Sequence, residues 1–128
     1  MKFADSDFII SVLRGSQKVM KKLDEFNEEQ LATTSINEFE VLYGAVHNGK
    51  LDEVAQAKKF FERLKIFEFD GPSAQIASKL HSQLTKQGNR IDFMDLFIAS
   101  IVLANNGTLV TRNKKHFDRI PGLEIEEW

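Results

Sequence analysis

Asp5 and Asp7 stand one residue apart near the start of the sequence, directly after a short apolar run and at the start of a helical pattern. Such a pair can cap a helix, hold a divalent cation, or act as nucleophile and acid in phosphate transfer. Three further polar residues that could join them lie far away in the chain. These residues are Glu40, Asp95 and Asn113. Singly, each has an ordinary structural explanation as a helix cap, a solvated helix residue or a turn residue.

The composition is that of one folded domain. The chain has 128 residues, 42% of them hydrophobic and 28% charged, which is enough to bury a single core and excludes wholesale disorder. We therefore expect a single domain over residues 1–128. The formal net charge of −2 means that contact with a nucleic acid requires a local basic patch.

Cysteine is absent from the sequence, which excludes disulfides, thiolate nucleophiles and cysteine-based metal sites. No apolar run approaches the roughly 20 residues of a membrane span, and no signal-like segment opens the chain. The expectation is a protein of the reducing cytoplasm that has no membrane partner.

Strand-like and helical segments alternate along the chain. The strand-like segments are KFA, LATTS, KIFEF, TLVT and LEIEEW. Helical patterns cover residues 7–14, 17–26, 51–64 and the apolar segment DFMDLFIASIVLAN, among others. Strands joined by helical connections of this length run parallel, with helices on both faces of the sheet. The sequence therefore predicts a three-layer α/β/α sandwich with its ligand site at the carboxyl ends of the strands.

The helix that carries Glu40 is predicted to begin at a Ser35 cap and to end at Asn48-Gly49. At about 100° per residue its large apolar side chains form one stripe, which we expect to border the core. The stripe consists of Ile36, Phe39, Leu42, Tyr43 and Val46. Glu40 falls at the edge of this stripe, and Val41, on the opposite side, is a candidate interface residue.

Asp92 and Asp95 begin the apolar helix, Asp92 as the expected N-cap and Asp95 near the positive end of the helix dipole. Carboxylates gathered near one cleft repel one another unless a cation compensates them. Hard cations such as Mg²⁺ or Mn²⁺ prefer oxygen ligands and activate water for attack on a phosphodiester. The joint placement of the acids therefore favours a divalent-metal site.

Four motifs in order along the chain resemble those of PIN-domain ribonucleases, most closely the VapC-type toxins of toxin–antitoxin pairs. They are ADSDFII near the start, EVLYGA at 40–45, DLFIAS at 95–100 and LVTRNKKHF at 109–117, followed by the ending GLEIEEW. The resemblance covers essentially the whole chain and implies a parallel five-stranded sheet in the order 3-2-1-4-5.

The resemblance also implies a Mg²⁺- or Mn²⁺-dependent endoribonuclease that cuts single-stranded or loop RNA with a metal-activated water. According to this resemblance, the metal-binding acids are Asp5, Glu40 and Asp95, and Asn113 takes the position of a fourth acid. The residues in supporting positions are Ser6, Asp7 and Thr111. The implied partners are a second copy of the chain and a cognate VapB-like antitoxin, whose C-terminal segment lies across the active groove.

A basic run follows the strand TLVT and supplies the positive charge that RNA requires. The residues that we expect to contact RNA are Arg112, Lys114, Lys115 and, in an earlier turn, Arg90. His116 is expected to be a packing or surface residue. A solvated turn explains the basic run about as well.

Two other functions remain open at this point. The first is a phosphatase similar to the haloacid dehalogenases, with Asp5 as nucleophile and Asp7 as acid/base, although Ile9 stands where that motif prefers Thr or Val. The second is a PIN-like domain that binds RNA or a protein partner without cutting.

Overall fold

The computed structural model describes residues 1–27 and 30–128, and within them five strands alternate with seven helices. The strands are β1 (Lys2–Ala4), β2 (Leu31–Thr34), β3 (Lys65–Phe67), β4 (Thr108–Val110) and β5 (Glu124–Glu126). The helices are α1 (Ser6–Leu13), α2 (Gln17–Asp24), α3 (Ser35–His47), α4 (Leu51–Glu62), α5 (Gly71–Lys86), α6 (Phe93–Ala104) and α7 (Lys114–Phe117).

All strand pairs in the sheet are parallel, and their order is β3-β2-β1-β4-β5. The central strand β1 pairs Phe3 with Ala32 of β2 and with Leu109 of β4. The predicted fold and strand order are confirmed. Because the strand order reverses between β1 and β4, the crevice at their carboxyl ends is where such sheets bind ligands.

Each strand alternates its side chains between two cores, as the period of two along a strand requires. Phe3 packs on one face with Leu96 and Ile101 of α6 and with residues of α5. The next residue, Ala4, packs on the other face with side chains of α1, α2, α3 and α4, among them Phe8. The sheet is therefore the middle layer of three. Among the helices of the described residues, none is both long and apolar enough to cross a bilayer.

Two predicted helix starts differ in detail from the structure. Thr34, rather than Ser35, is the N-cap of α3, and its hydroxyl accepts a hydrogen bond from the Asn37 backbone N–H at 3.2 Å. Thr34 is the last residue of β2 and keeps an extended conformation, which is the backbone geometry that an N-cap needs. Asp92 holds the predicted N-cap position of α6, but its side chain makes no capping bond.

The predicted core-facing stripe of α3 is confirmed for two of its five residues and wrong for the other three. Ile36 and Leu42 are partly buried and pack against the cores. Phe39, Tyr43 and Val46 are 52%, 56% and 60% exposed, whereas Val41 is only 5% exposed. Helix α3 packs against α1 and α4, and it meets them with Asn37, Val41 and Ala45, one turn apart. Val41 therefore belongs to the core and not to an interface. The smaller side chains allow the three helices to approach closely, and the rings remain on the outer side of α3.

Candidate active site

Asp5 follows β1 and is at once a helix cap and a buried acid. Its Oδ1 accepts a 2.8 Å hydrogen bond from the backbone N–H of Phe8, which caps α1. The residue is only 6% exposed, and this burial, helped by the charge of Asp7, raises its pKa to about 6. Hydrogen bonds from Thr111 and Phe8, together with the charge of Arg112, oppose the rise. Thr111 follows β4, so this contact joins the ends of the two adjacent strands.

Glu40 reaches the same edge from α3. The Ser6 hydroxyl donates a 2.8 Å hydrogen bond to its Oε1 and links the first residue of α1 to this carboxylate. Partial burial raises the pKa of Glu40, and the negative charges of Asp95, Asp92 and Asp7 raise it further against the effect of the Ser6 bond. These charges act on Glu40 because the acids of three separate elements share one crevice.

A chain of buried hydrogen bonds holds Ser6 in place. The amide Nδ2 of Asn37 donates to Ser6 Oγ at 3.0 Å, and the Thr34 hydroxyl donates to Asn37 Oδ1 at 2.7 Å. Asn37 is 1% exposed, so its amide group depends on these partners. The sequence analysis missed Asn37. Its spacing from Thr34, which is that of a capping box, is the signal that could have found it.

Asp95 lies in the first turn of α6, and its pKa is raised by burial first and by the charge of Asp92 second. His116 opposes this rise, because its Nδ1 lies 3.5 Å from Asp95 Oδ2. The His116 side chain is 64% exposed, in agreement with the surface position expected for it. Its contact with the acid was not predicted, since it depends on how α7 packs on α6.

The carboxyl edge of the sheet, near which Asp5, Glu40, Asp95 and Asp7 lie, is called the acidic edge below. On this edge, Asp7 is contacted by two nearby residues. Asn113 Nδ2 donates a 3.1 Å hydrogen bond to Asp7 Oδ2, and Arg112 Nε lies 3.5 Å from the same oxygen. The Arg112 guanidinium also lies over the Trp128 ring, 5.2 Å from its centre. The backbone N–H of Asn113 donates to the Thr111 hydroxyl at 3.0 Å. Residues 111–113 thus contact both aspartates of the opening motif.

The four residues expected to contact RNA surround this edge in different ways. Arg112 is engaged with Asp7 and Trp128, and Lys114 and Lys115 are exposed on α7. Arg90 borders a cleft that also contains Asp95. Positive side chains are therefore present on both sides of the acids.

The oxygen-rich side chains fit a hard cation that keeps part of its water shell. Within residues 1–27 and 30–128, no three or more His, Cys, Asp or Glu side chains are grouped so that they could hold a metal ion by themselves. Mg²⁺ sites commonly use one or two carboxylates and several waters. The repulsion that raises the pKa values of Glu40 and Asp95 is the effect that such a cation would relieve.

Comparison with known proteins agrees with this fold. The family model of the PIN domain matches residues 2–123. Ribonuclease VapC2 of Rickettsia felis is 40% identical over 100 residues, which span 77% of this chain and 74% of that protein. The tRNA(fMet)-specific endonuclease VapC of Salmonella typhimurium is 25% identical over 125 residues, 97% of this chain and 95% of that one.

A solved structure agrees over nearly the whole chain. The Rickettsia felis VapBC2 complex bound to a promoter DNA fragment contains a chain that matches with a TM-score of 0.90 and 28% identity, covering 99% of this chain and 98% of that one. The fold and the site together define a class of protein. It is a parallel three-layer domain with acidic residues at the carboxyl ends of its central strands. The chain belongs to the PIN-domain family, among its VapC-type members.

Proposed function

We propose that the protein is a Mg²⁺- or Mn²⁺-dependent endoribonuclease that cuts single-stranded or loop RNA and acts as the toxin of a VapBC-type pair. The observation that carries the proposal is that Ser6, the neighbour of Asp5, donates a hydrogen bond to Glu40, whose pKa is raised by burial and further by the charge of Asp95 on α6. The names of the relatives support it, since one is a ribonuclease and another an endonuclease specific for tRNA(fMet).

We propose that Asp5, Glu40 and Asp95 hold the cation, at least one of them through a water of its hydration shell, since no three of the described acids are grouped to bind it directly. A bound Mg²⁺ or Mn²⁺ supplies an activated water and neutralises charge on the phosphodiester. Ser6 orients Glu40 through its 2.8 Å hydrogen bond, and Thr111 orients Asp5. These two hydroxyls keep the carboxylates in place before the substrate arrives, which lowers the cost of assembling the site.

Asn113 completes the proposed catalytic set by holding Asp7. Its amide and the Arg112 guanidinium both contact Asp7 Oδ2, so the charge of Asp7 is compensated within the chain. This arrangement disfavours the phosphatase alternative, in which Asp7 must deliver a proton to a leaving group.

The RNA strand is proposed to cross the acidic edge between the basic residues on its two sides. The contributing side chains are Arg112, Lys114, Lys115 and Arg90. Their contacts with phosphate groups would make binding dependent on salt concentration. Because the substrate is cellular RNA, we place the activity in the cytoplasm.

The proposed protein partners are a cognate antitoxin and a second copy of the chain. The first is supported by the solved relatives, which are VapBC complexes. Two apolar surfaces of the described residues are open to protein partners. One is the exposed face of α3 with Phe39 and Tyr43, and the other is a cleft of about 230 Å³ between α1, α3 and α4 that Ile10 and Leu13 line.

Cleavage of a mixed RNA pool with and without Mn²⁺ tests the enzymatic proposal. The wild type and the control Asp52→Asn, which changes an exposed acid in the first turn of α4, should cut only with Mn²⁺. Asp5→Asn and Asp95→Asn should lose more than about 100-fold in rate, as expected when a metal ligand is removed. Equal rates in all four proteins would refute the assignment.

The same proteins, together with Asp7→Asn, separate the remaining alternatives. Hydrolysis of a generic phosphomonoester that is lost in Asp5→Asn and Asp7→Asn, without any RNA cleavage, would favour the phosphatase. RNA binding without cleavage under every metal condition would favour a binding domain. For the toxin role, expression of the wild type, but not of Asp95→Asn, should arrest growth, and co-expression of a small protein encoded beside it should relieve the arrest.

A further inference from the structure

A cleft of about 210 Å³ opens beside Asp95 and brings two arginines and a histidine together next to the acidic edge. Its lining residues are Arg90, Ile91, Asp92, Asp95, His116 and Arg119. We propose that this cleft is a subsite for an RNA phosphate adjacent to the one that is cut, bound by Arg119 and His116. The proposal rests on the ribonuclease function proposed above and assigns a role to two residues outside that catalytic set.

Arg119 is held in the position that such a subsite needs. Its Nη1 donates a 2.7 Å hydrogen bond to the backbone carbonyl of Arg90, so that the guanidinium bridges the end of α7 and the segment before α6. This bond uses one of the five N–H donors of the group. A guanidinium that is already oriented loses less freedom on binding, and its fork of donors matches the geometry of phosphate.

His116 places the cleft next to the catalytic edge. Its Nδ1 lies 3.5 Å from Asp95 Oδ2, and Nε2 lies at the other end of the exposed ring. Because Asp95 is a proposed metal ligand, a group bound beside His116 lies within one side chain of the proposed reaction centre. That is the place of a neighbouring phosphate of the same strand.

The donor geometry of Arg119, rather than the charge of the cleft, favours a phosphate. The two arginines of the lining are matched by Asp92 and Asp95, so the cleft is attractive to an anion where the free N–H groups of the Arg119 fork are presented. Lys58, an exposed lysine of α4, neither lines the cleft nor belongs to the proposed RNA contacts, and it serves as the control.

A scan of neutral linkages tests the proposal by binding and by cleavage. The probes are RNA oligonucleotides with a single cleavage site, and in each of them one phosphate is replaced by a methylphosphonate. The sugar beside that linkage carries a 2′-O-methyl group. The matched control has the same sugar and an ordinary phosphate. Affinity is measured by fluorescence anisotropy in EDTA, and cleavage with Mn²⁺. One neutral linkage beside the cut should weaken binding to the wild type about tenfold, as expected for loss of a charge-assisted hydrogen bond.

The variants then show which side chain contacts that phosphate. Arg119→Ala should bind the phosphate control about tenfold more weakly than the wild type does. The neutral linkage should not weaken its binding further, because both changes remove the same contact. Lys58→Ala should respond to the neutral linkage as the wild type does. Arg119→Lys, which keeps the charge, should recover part of the loss, and melting temperatures verify that each variant is folded.

Different outcomes overturn different statements. If RNA is cleaved normally and Arg119→Ala binds every linkage about tenfold more weakly by the same factor, the subsite is refuted. The proposed ribonuclease function would then still hold. Coupling in EDTA without any cleavage would support the subsite and refute the nuclease. Tighter Mn²⁺ binding by Arg119→Ala, with a flat linkage scan, would identify the cleft as a cation site and overturn the proposal.

Discussion

The Ser6 hydroxyl donates a 2.8 Å hydrogen bond to Oε1 of Glu40, so a residue at the start of the chain orients a carboxylate 34 positions later. Behind Ser6, the buried amide of Asn37 connects this bond to the Thr34 hydroxyl that caps α3. The same hydrogen bonds therefore stabilise the start of a helix and set the direction of a candidate metal ligand.

Replacing Asn37 with alanine should reduce both stability and activity. The Ser6 and Thr34 hydroxyls would lose their partner in a buried place, so the free energy of unfolding should fall by about 1–3 kcal/mol in urea titrations. RNA cleavage well below the melting temperature should slow by about 10- to 100-fold, as when an outer partner of a metal ligand is removed.

The control for Asn37→Ala is Ser78→Ala, which removes an exposed hydroxyl bonded only to a carbonyl of its own helix α5. It should change stability by less than about 0.5 kcal/mol and leave cleavage unchanged. A folded Asn37→Ala variant that cuts RNA at the wild-type rate would contradict the positioning role of Asn37.

Asp5→Asn should stabilise the metal-free protein at neutral pH. In the folded chain the pKa of Asp5 is about 6, compared with 3.8 for the ordinary side chain, so the folded state binds this proton more tightly than the unfolded state. Asp5 therefore makes stability fall as pH rises from about 4 through about 6. Asparagine has no such titration and still caps a helix.

The expected gain from Asp5→Asn at pH 7.5 is at most about 3 kcal/mol, from a rise of about two pKa units. It should shrink towards zero below about pH 3, where the wild-type carboxyl is protonated in both states. Urea titrations at the two pH values measure the difference. A variant that is less stable than the wild type at pH 7.5 would show that burial does not penalise this charge.

Asn113→Asp should destabilise the protein without metal and increase its response to Mn²⁺. The new carboxylate would replace an amide that lies 3.1 Å from Asp7 Oδ2, and two like charges would then face each other. The expected loss at pH 7.5 is about 1 kcal/mol because the pair is partly exposed and salt screens it. Asn113→Ala measures how much of the loss comes from the missing hydrogen bond alone.

Thermal melts with increasing Mn²⁺ complete this test. Any ion that binds the folded state raises the melting temperature, and the rise should be larger in Asn113→Asp than in the wild type because the ion would also relieve the new repulsion. An equal rise in both proteins would mean that position 113 does not contribute to cation binding.

Gly107→Ala should disturb the core beneath the active edge. A methyl group at this position would collide with the ring of Phe3, the β1 residue that packs against α6. The expected cost is about 1–3 kcal/mol, as for other overpacked cores. Gly44 of α3 is the matched control, because a methyl group there meets nothing within 4 Å, and Gly44→Ala should be neutral or stabilising. Urea titrations of both variants measure the contrast, and equal stabilities would refute it.

The edge on which Asp5 and Asn113 lie was predictable because it follows from connectivity. Asp5 comes directly after one segment with a strand pattern and Asn113 shortly after another, and parallel strands bring their carboxyl ends together. The order of the strands came from the resemblance to a family, since helix and strand patterns alone do not select one order among several. The placement of Asp95 follows from the apolar helix that it begins.

The buried face of α3 was not predictable from hydrophobicity. The residues that face the core there include the amide Asn37, while two aromatic rings, Phe39 and Tyr43, face outward. Apolarity ranks side chains by type and does not register whether neighbouring helices leave room for them. The contact between His116 and Asp95 has a similar origin, because it depends on how α7 packs on α6.

Trp128 is the single tryptophan of the chain, and it packs edge-on against Phe8 while the Arg112 guanidinium covers its ring. Arg112 also contacts Asp7, so the indole is one side chain away from the acidic edge. The protein thus contains its own optical reporter. A bound RNA strand that moves Arg112 also changes the surroundings of the indole. Ligand binding can therefore be followed by tryptophan emission without attaching a dye.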